Sequence, residues 1–252
     1  MISAVIVTYN EEGFLKDCLE SVIGNCEEIV VVDLGSHDDT LKIAKTFQAK
    51  IFNHEWVEYV EKVRDFAVSK AEGDYVLVLD PDERMSPNLW QALKGVAGEK
   101  KFVAVNIPRK NIFFGRFIAH TNWWPDRHVR FFKKGKVKWE DKIHFYPKVD
   151  GEVYNLPAKE DLAIIHFGYS SVGQFIDRQS RYGVIKAQNL YDLGVRFSWM
   201  SFFWNPTREF LVRYIRHLGF LDGFYGFALS FLMMVYQMEV MIKLWELEKN
   251  KQ

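Results

Sequence analysis

The 252-residue sequence has only two cysteines, Cys18 and Cys26, and no histidine stands at zinc-ligand spacing from them. A disulfide scaffold is excluded, and both thiols read as reduced. Glycine and proline are sparse, at 16 and 7 residues, which rules out collagen-like architectures. Neither GxGxxG nor GxxxxGKS/T occurs, so a dinucleotide or P-loop site would lack its phosphate cradle. The opening residues carry no basic stretch and no small-residue cleavage site. No secretory signal is expected, and the chain is assigned to the cytosol. The longest charge-free run, residues 223–238, is shorter than the roughly 20 apolar residues of a spanning helix. A transmembrane span is therefore not expected. Net charge is absent too: 33 basic side chains cancel 33 acidic ones, which removes the global field that would make nucleic acid or an anionic membrane the default partner.

What the sequence does have is apolar content, 48%, enough for one large domain with an appended C-terminal segment. Its charge is also unevenly spread. Residues 1–100 hold 19 acidic and 10 basic side chains, and residues 101–138 hold 1 acidic and 10 basic. A net −9 stretch followed by a net +9 stretch fits two walls of one cleft, one suited to a cation and the other to anions.

Residues 2–7 are continuously apolar and β-branched, as in a strand buried on both faces of a parallel sheet. Asn10 is placed to cap a helix over 11–23. A second buried strand, 28–32, ends in Asp33, a helical pattern follows over 39–48, and a short strand over 50–54 completes βαβαβ, the plan of a nucleotide-binding α/β layer. Further on, the pattern predicts a helix over 57–71, a strand over 75–79 and a helix from Pro87 to about 96. Residues 103–132 read as strand-like and aromatic, 162–165 as an apolar strand, and the chain from 172 onward as helical. Residues 197–245 carry 14 aromatics, too many for a solvated tail.

Asp80-Pro81-Asp82-Glu83 follows the 75–79 strand directly. Carboxylates at i and i+2 beyond a buried strand can address one divalent cation and the diphosphate it neutralises, and Mg²⁺ needs only one or two protein carboxylates beside substrate phosphates. An acidic loop leading into a helix would look the same.

Three segments together carry a resemblance: Ile6-Val-Thr-Tyr-Asn-Glu-Glu12, Val31-Val-Asp-Leu-Gly-Ser-His-Asp-Asp-Thr40 and Gly73-Asp-Tyr-Val-Leu-Val-Leu-Asp-Pro-Asp-Glu83. In order and spacing they resemble family 2 glycosyltransferases of the GT-A fold. Ile165-His-Phe-Gly-Tyr169, Arg181-Tyr182 and Phe220-Leu-Asp-Gly-Phe-Tyr-Gly226 are similar to the bacterial subgroup of lipopolysaccharide core β-1,4-glucosyltransferases. The resemblance implies a Rossmann-like mixed sheet flanked by helices, and inverting transfer of a sugar from a nucleoside diphosphate donor with Mg²⁺ or Mn²⁺. It implies that Thr8, Tyr9, Asn10 and Glu11 line the nucleotide-sugar site with Asp33 and Arg64. Asp80 would meet the ribose or metal, and Asp82 would bind the metal. His166, after an apolar strand, is a second metal candidate.

An inverting transfer also needs a carboxylate to take the acceptor's proton. Relatives commonly carry an acid just after the histidine of the segment matching 139–144, where this chain has Phe145. Asp141 and Glu140 become the nearest candidates, with Asp126 third. Arg127, Arg130 and Arg181 are the candidate phosphate or acceptor contacts.

The expected domains are 1–196, with a donor half to residue 100 and an acceptor half beyond, and a C-terminal helical segment, 197–252. Its Arg208, Arg213 and Arg216 beside Phe210 and Tyr214 fit either a membrane-interface helix or a homodimer contact. The expected partners are thus a UDP-type sugar donor, a glycan or glycolipid acceptor, and a membrane surface or a second copy. Two other readings stay open: a nucleotidyltransferase on a similar sheet, and a non-catalytic carbohydrate-binding scaffold.

Overall fold

A computed structural model describes residues 1–139 and 147–250. It divides the chain into two compact units, Met1–Lys110 with Asp126–His166, and Asn111–Pro125 with Phe167–Gln252.

The first unit is built on a mixed sheet. Its strands are β1 (Ile2–Thr8), β2 (Glu28–Asp33), β3 (Lys50–Asn53), β4 (Tyr75–Leu79), β5 (Glu83–Arg84), and the first part of β6 (Ala104–Phe113), whose end passes into the second unit with β7 (Arg116–Phe117). The first unit resumes with β8 (Asp126–Lys133), β9 (Val137–Lys138), β10 (Lys148–Val149), β11 (Val153–Asn155) and the start of β12 (Ile164–Tyr169). β3, β2, β1 and β4 run parallel, and β8 then lies antiparallel between β4 and β6. β11 pairs parallel with β6, β5 pairs antiparallel with β12, and β9 and β10 form a separate ribbon.

The apolar runs of β1, β2 and β4 make sense because both faces are covered. Ile2, Ala4, Ile6, Val31, Leu77 and Leu79 pack on one side with Leu15, Leu19, Leu89 and Leu93 of helices α1 (Leu15–Val22) and α4 (Pro87–Glu99). Val5, Val7, Val30, Val32, Val76 and Val78 pack on the other with Val63 and Ala67 of α3 (Glu61–Ser69). Alternate residues of one strand thus feed opposite layers. Helix α2 (Thr40–Thr46) joins the first layer through Ala44. The fold is the mixed sheet flanked by helices that the sequence implies.

One local expectation changes. Helix α1 starts at Leu15, not residue 11, and Asn10 does not cap it. Asn10 takes a left-handed φ of 54°, and its Oδ1 accepts the His37 amide at 2.8 Å. The side chain serves a loop-to-loop bond instead of an N-terminal turn.

The second unit is helical apart from the ends of β6 and β12 and β7. Helix α5 (Val172–Asp192) is capped by Ser171, which accepts the Gln174 amide at 3.1 Å, and α6 (Trp199–Leu211) by Ser198 in the same way. A π-turn, Val212–Arg216, extends α6, and α7 (Phe224–Asn250) follows. Phe113, Tyr169, Phe175, Ala187, Leu229, Met233, Tyr236 and Val240 form its core. The Ser180 hydroxyl donates to Glu239 at 2.5 Å and Lys243 donates to the Ser180 carbonyl at 2.7 Å. These bonds bind α5 to α7, so the compact unit reaches back to 167 and the division differs from the expected break at 196/197.

Helix α7 also corrects the reading based on charge-free length. At 27 residues it is long and apolar enough to cross a membrane by length and composition. Glu239 and Lys243 end the charge-free run without ending the helix, since they pair with each other at 2.7 Å. One side of α7, including Leu229, Met233, Tyr236, Val240 and Leu244, is buried in the unit's core.

The turn between α6 and α7 is tightly held. A Cβ on Gly219 would come within 2.8 Å of the Arg213 carbonyl, and one on Gly226 would overlap the Gly219 carbonyl itself. Residues 120–121 are tied to this turn: the His120 amide and Nδ1 both lie 2.9 Å from the buried Asp222 carboxylate, and Arg213 donates to the Thr121 carbonyl at 2.8 Å.

Candidate active site

Thr8 ends β1 directly opposite Asp33 at the end of β2, and Asp80 follows β4, the neighbour of β1 on its other side. Three adjacent parallel strands therefore deliver polar groups to one carboxyl-end crevice, where α/β sheets bind ligands. Asp33 turns into its own loop: it accepts the Gly35 and Ser36 amides at 3.0 Å and the Ser36 hydroxyl at 2.5 Å. Ser36 in turn accepts the Asn10 amide at 2.9 Å, and Thr40 accepts that of Glu11 at 2.8 Å. The loops after β1 and β2 are thus stitched together, with Tyr9 exposed on the first and Glu11 half-buried.

Beyond Asp80 the chain builds a ladder of alternating charge, with Arg64, Glu83 and Arg130 buried and Asp80, Arg109, Asp126 and His128 half-buried. Asp80 accepts Arg64 on one oxygen at 2.8 Å and Arg130 on the other at 2.5 Å. Arg130 also donates to Glu83 at 2.8 Å, Arg109 lies 3.5 Å from the same Glu83 oxygen, and Arg109 donates twice to Asp126, at 2.9 and 2.6 Å. His128 Nε2 stands 3.0 Å from the other Asp126 oxygen. Glu83 is wholly buried, and its second oxygen accepts the Asp80 amide at 2.9 Å.

Burial opposes the ionised form of Asp80, but Arg130 and Arg64 outweigh it and hold the carboxyl well below the usual carboxylate range. Burial likewise opposes Asp126, and the bond to His128 with the charge of Arg109 reverses the outcome, so this carboxyl too is held low. His128 is pushed down by its own burial, with Arg109 adding to the effect, and the Asp126 bond does not offset them. A carboxylate held low is a weak proton acceptor, and the partners of Asp126 suit it to orienting Arg109 and His128.

Asp82 lies outside the ladder. Its Oδ2 approaches His166 Nε2 to 3.5 Å, and β5–β12 pairing sets His166 opposite Glu83, next to Asp82. One carboxylate and one imidazole are too few to enclose an ion, and no cluster of three such ligands occurs among the described residues. They do fit a divalent cation that keeps waters and takes phosphate oxygens. The crevice has spare donors as well: Thr8 Oγ1, Arg64 Nη1 and Arg130 Nε are buried without a hydrogen-bond partner among the described residues. Orphaned buried donors of this kind need a ligand or water.

The structure therefore brings together Thr8, Asp33, Arg64, Asp80, Asp82, Asp126, Arg130 and His166 in the first unit. Arg130 and Arg64 are each bonded to carboxylates, Arg64 to Asp80 and Arg130 to Asp80 and Glu83. Arg127 donates to the Leu156 carbonyl, and Arg181 is exposed on α5 in the second unit. Glu140 and Asp141 lie outside the described residues. Sequence reading missed Arg109 and His128 and gave Glu83 no role of its own. Asp126, His128 and Arg130 stand at alternate positions of β8, but Arg127 between them is charged too and the register shifts at Arg130, so the spacing alone does not single them out.

A family model described as glycosyl transferase family 2 matches residues 3–149. An uncharacterised glycosyltransferase of Rickettsia typhi is 28% identical, with 90% of this chain and 80% of that protein covered. A lipopolysaccharide core biosynthesis glycosyltransferase of Rhizobium meliloti, LpsC, is 25% identical, covering 92% and 89%. Among solved structures, S. aureus TarS 1-349 in complex with UDP matches at TM-score 0.50 and 15% identity, covering 100% of this chain and 92% of that one, which is a likeness of fold.

Proposed function

The chain belongs to glycosyl transferase family 2, and from that premise we propose an inverting transferase that moves a hexose from UDP to a glycan or glycolipid of the lipopolysaccharide-core kind. The carrying observation is the meeting of Thr8, Asp33 and Asp80 at three adjacent strand ends, with Asp82 and His166 paired just beyond. LpsC supports the acceptor class, as a relative of nearly equal extent.

In this reading Asp33 and the stitched loops after β1 and β2 hold the nucleoside. Thr8, Arg64 and Arg130 turn their unpartnered donors toward the ribose and phosphates, and Asp80 fixes the two guanidiniums. Asp82 and His166 would hold Mg²⁺ or Mn²⁺, which supplies charge to the departing diphosphate. Asp141, with Glu140 beside it, takes the proton of the acceptor hydroxyl as that oxygen bonds the anomeric carbon and the bond to UDP breaks. Arg127 of the first unit is an acceptor contact. The enzyme works on the cytoplasmic side of the membrane, at its surface.

Donor hydrolysis with UDP-, GDP- and dTDP-hexoses, with and without Mn²⁺, tests the reading. UDP-hexose turnover that depends on the metal is expected. Equal UDP affinity with and without Mn²⁺ in calorimetry, or an unchanged affinity in Asp82→Asn, would remove the metal assignment.

A further inference from the structure

The helices of the second unit leave a stripe of large apolar side chains in solvent. On α6, Trp199, Met200, Phe203 and Trp204 are 70%, 82%, 62% and 61% exposed. They recur at i, i+1, i+4 and i+5, one face of a helix, and Leu211 and Ile215 continue that face into the π-turn. The turn to α7 ends in Phe224, which is 78% exposed. Scattered exposed apolar residues are ordinary on a protein surface, but a contiguous aromatic stripe marks a contact surface.

The charge beside the stripe has one sign. Between residues 193 and 231 the acids are Glu209 and Asp222. Glu209 accepts Arg213 at 2.6 Å, and Asp222 is buried against His120. Arg208 and Arg216 are exposed at the margin of the stripe, with no ion pair among the described residues. Trp and Phe beside unpaired arginine suit the headgroup level of a bilayer, where rings bury their bodies and guanidiniums meet lipid phosphates. An interface with a second copy would instead set Arg208 and Arg216 against the same charges around a two-fold axis.

We infer that the second unit docks onto an anionic lipid surface through the exposed face of α6 and the turn after it, lying in the interface and not crossing it. The inference deepens the glycolipid-acceptor reading and rests on it only for the lipid's role as substrate. Docking would hold the enzyme where such an acceptor is embedded.

The test is flotation of the full chain with vesicles of phosphatidylcholine alone and of phosphatidylcholine with phosphatidylglycerol at 7:3, beside light scattering for mass. Binding to the anionic vesicles is expected, weakening but not vanishing as salt rises, because screening removes only the electrostatic part. Phe203→Ser with Trp204→Ser should lower partitioning about tenfold or more. Arg208→Gln with Arg216→Gln should remove most of the preference for the anionic vesicles, about fivefold per arginine. Failure of the full chain to float with anionic vesicles would overturn the inference. So would flotation that neither double variant changes, or a dimer in scattering that the aromatic variant alone dissolves. UDP-hexose hydrolysis without vesicles should be unaltered in both variants. Its absence in the wild type would count against the transferase reading and leave the flotation result standing.

Discussion

The first unit pairs Asp80, Glu83, Arg109 and Arg130 with opposite charges at half-buried and buried positions, while the second leaves Trp199, Phe203 and Phe224 largely exposed. Both arrangements run against the ordinary partition of polar and apolar groups. They differ in what completes them. Buried charges are satisfied inside the protein, apart from a few donors without a partner among the described residues, whereas an exposed aromatic stripe is satisfied only by something outside. Chemistry is therefore sought in the first unit and location in the second.

Arg130→Ala is the hardest test of that contrast. It strands Asp80 and Glu83 without their shared partner and should destabilise the protein by about 3–5 kcal/mol in urea unfolding. Trp204→Ser, in the other unit, should stay within about 0.5 kcal/mol. Similar losses in the two variants would erase the distinction. Asp141→Asn should lower turnover by about 10²-fold or more and leave UDP binding intact, a result read by steady-state kinetics beside calorimetry. A loss in binding instead would make Asp141 a donor-site residue. Asp82→Asn should weaken UDP binding in Mn²⁺ by about tenfold, at least the effect of losing an outer-shell partner of a metal, while the unfolding midpoint holds.

The smallest expected effect is on pH dependence. His128 is lowered in the folded state, so its contribution to stability is present above its unfolded value of about 6.5 and is lost as pH falls from there through the lowered folded value. Asp80 and Asp126 are also lowered, and their contributions are lost further down, below about 4. Urea midpoints at pH 7.5 and 5.5 should therefore differ less in His128→Gln than in the wild type. An equal difference would assign the slope to another group.

How much of this was legible depended on the range of the interactions. Strand β4 lies at the predicted residues 75–79 because an unbroken apolar run needs only local periodicity and two covering layers. The strand ends carrying Thr8, Asp33 and Asp80 followed from the same pattern. The start of α1 did not, since Asn10 chose His37 over its own helix, a partner 27 residues away. The ladder joins residues from 64 to 130 on several elements, and no spacing along the chain encodes such a meeting. The pairing of Glu239 with Lys243 sat at i,i+4 in plain view, and reading it would have extended α7 past the end of the charge-free run.

The close approach of Gly219 and Gly226 has a consequence for how the second unit meets anything at all. With no room for a side chain at either position, and with Arg213 and Asp222 bonded to residues 120–121, the turn carrying Phe220 and Phe224 is set before any encounter. A flexible hairpin tip would lose conformational freedom on contact, and that loss would subtract from its affinity. Here the loss is taken during folding, so the aromatic side chains reach a surface already fixed in place. Gly226→Ala should therefore change the rigidity of the turn before it changes its hydrophobicity.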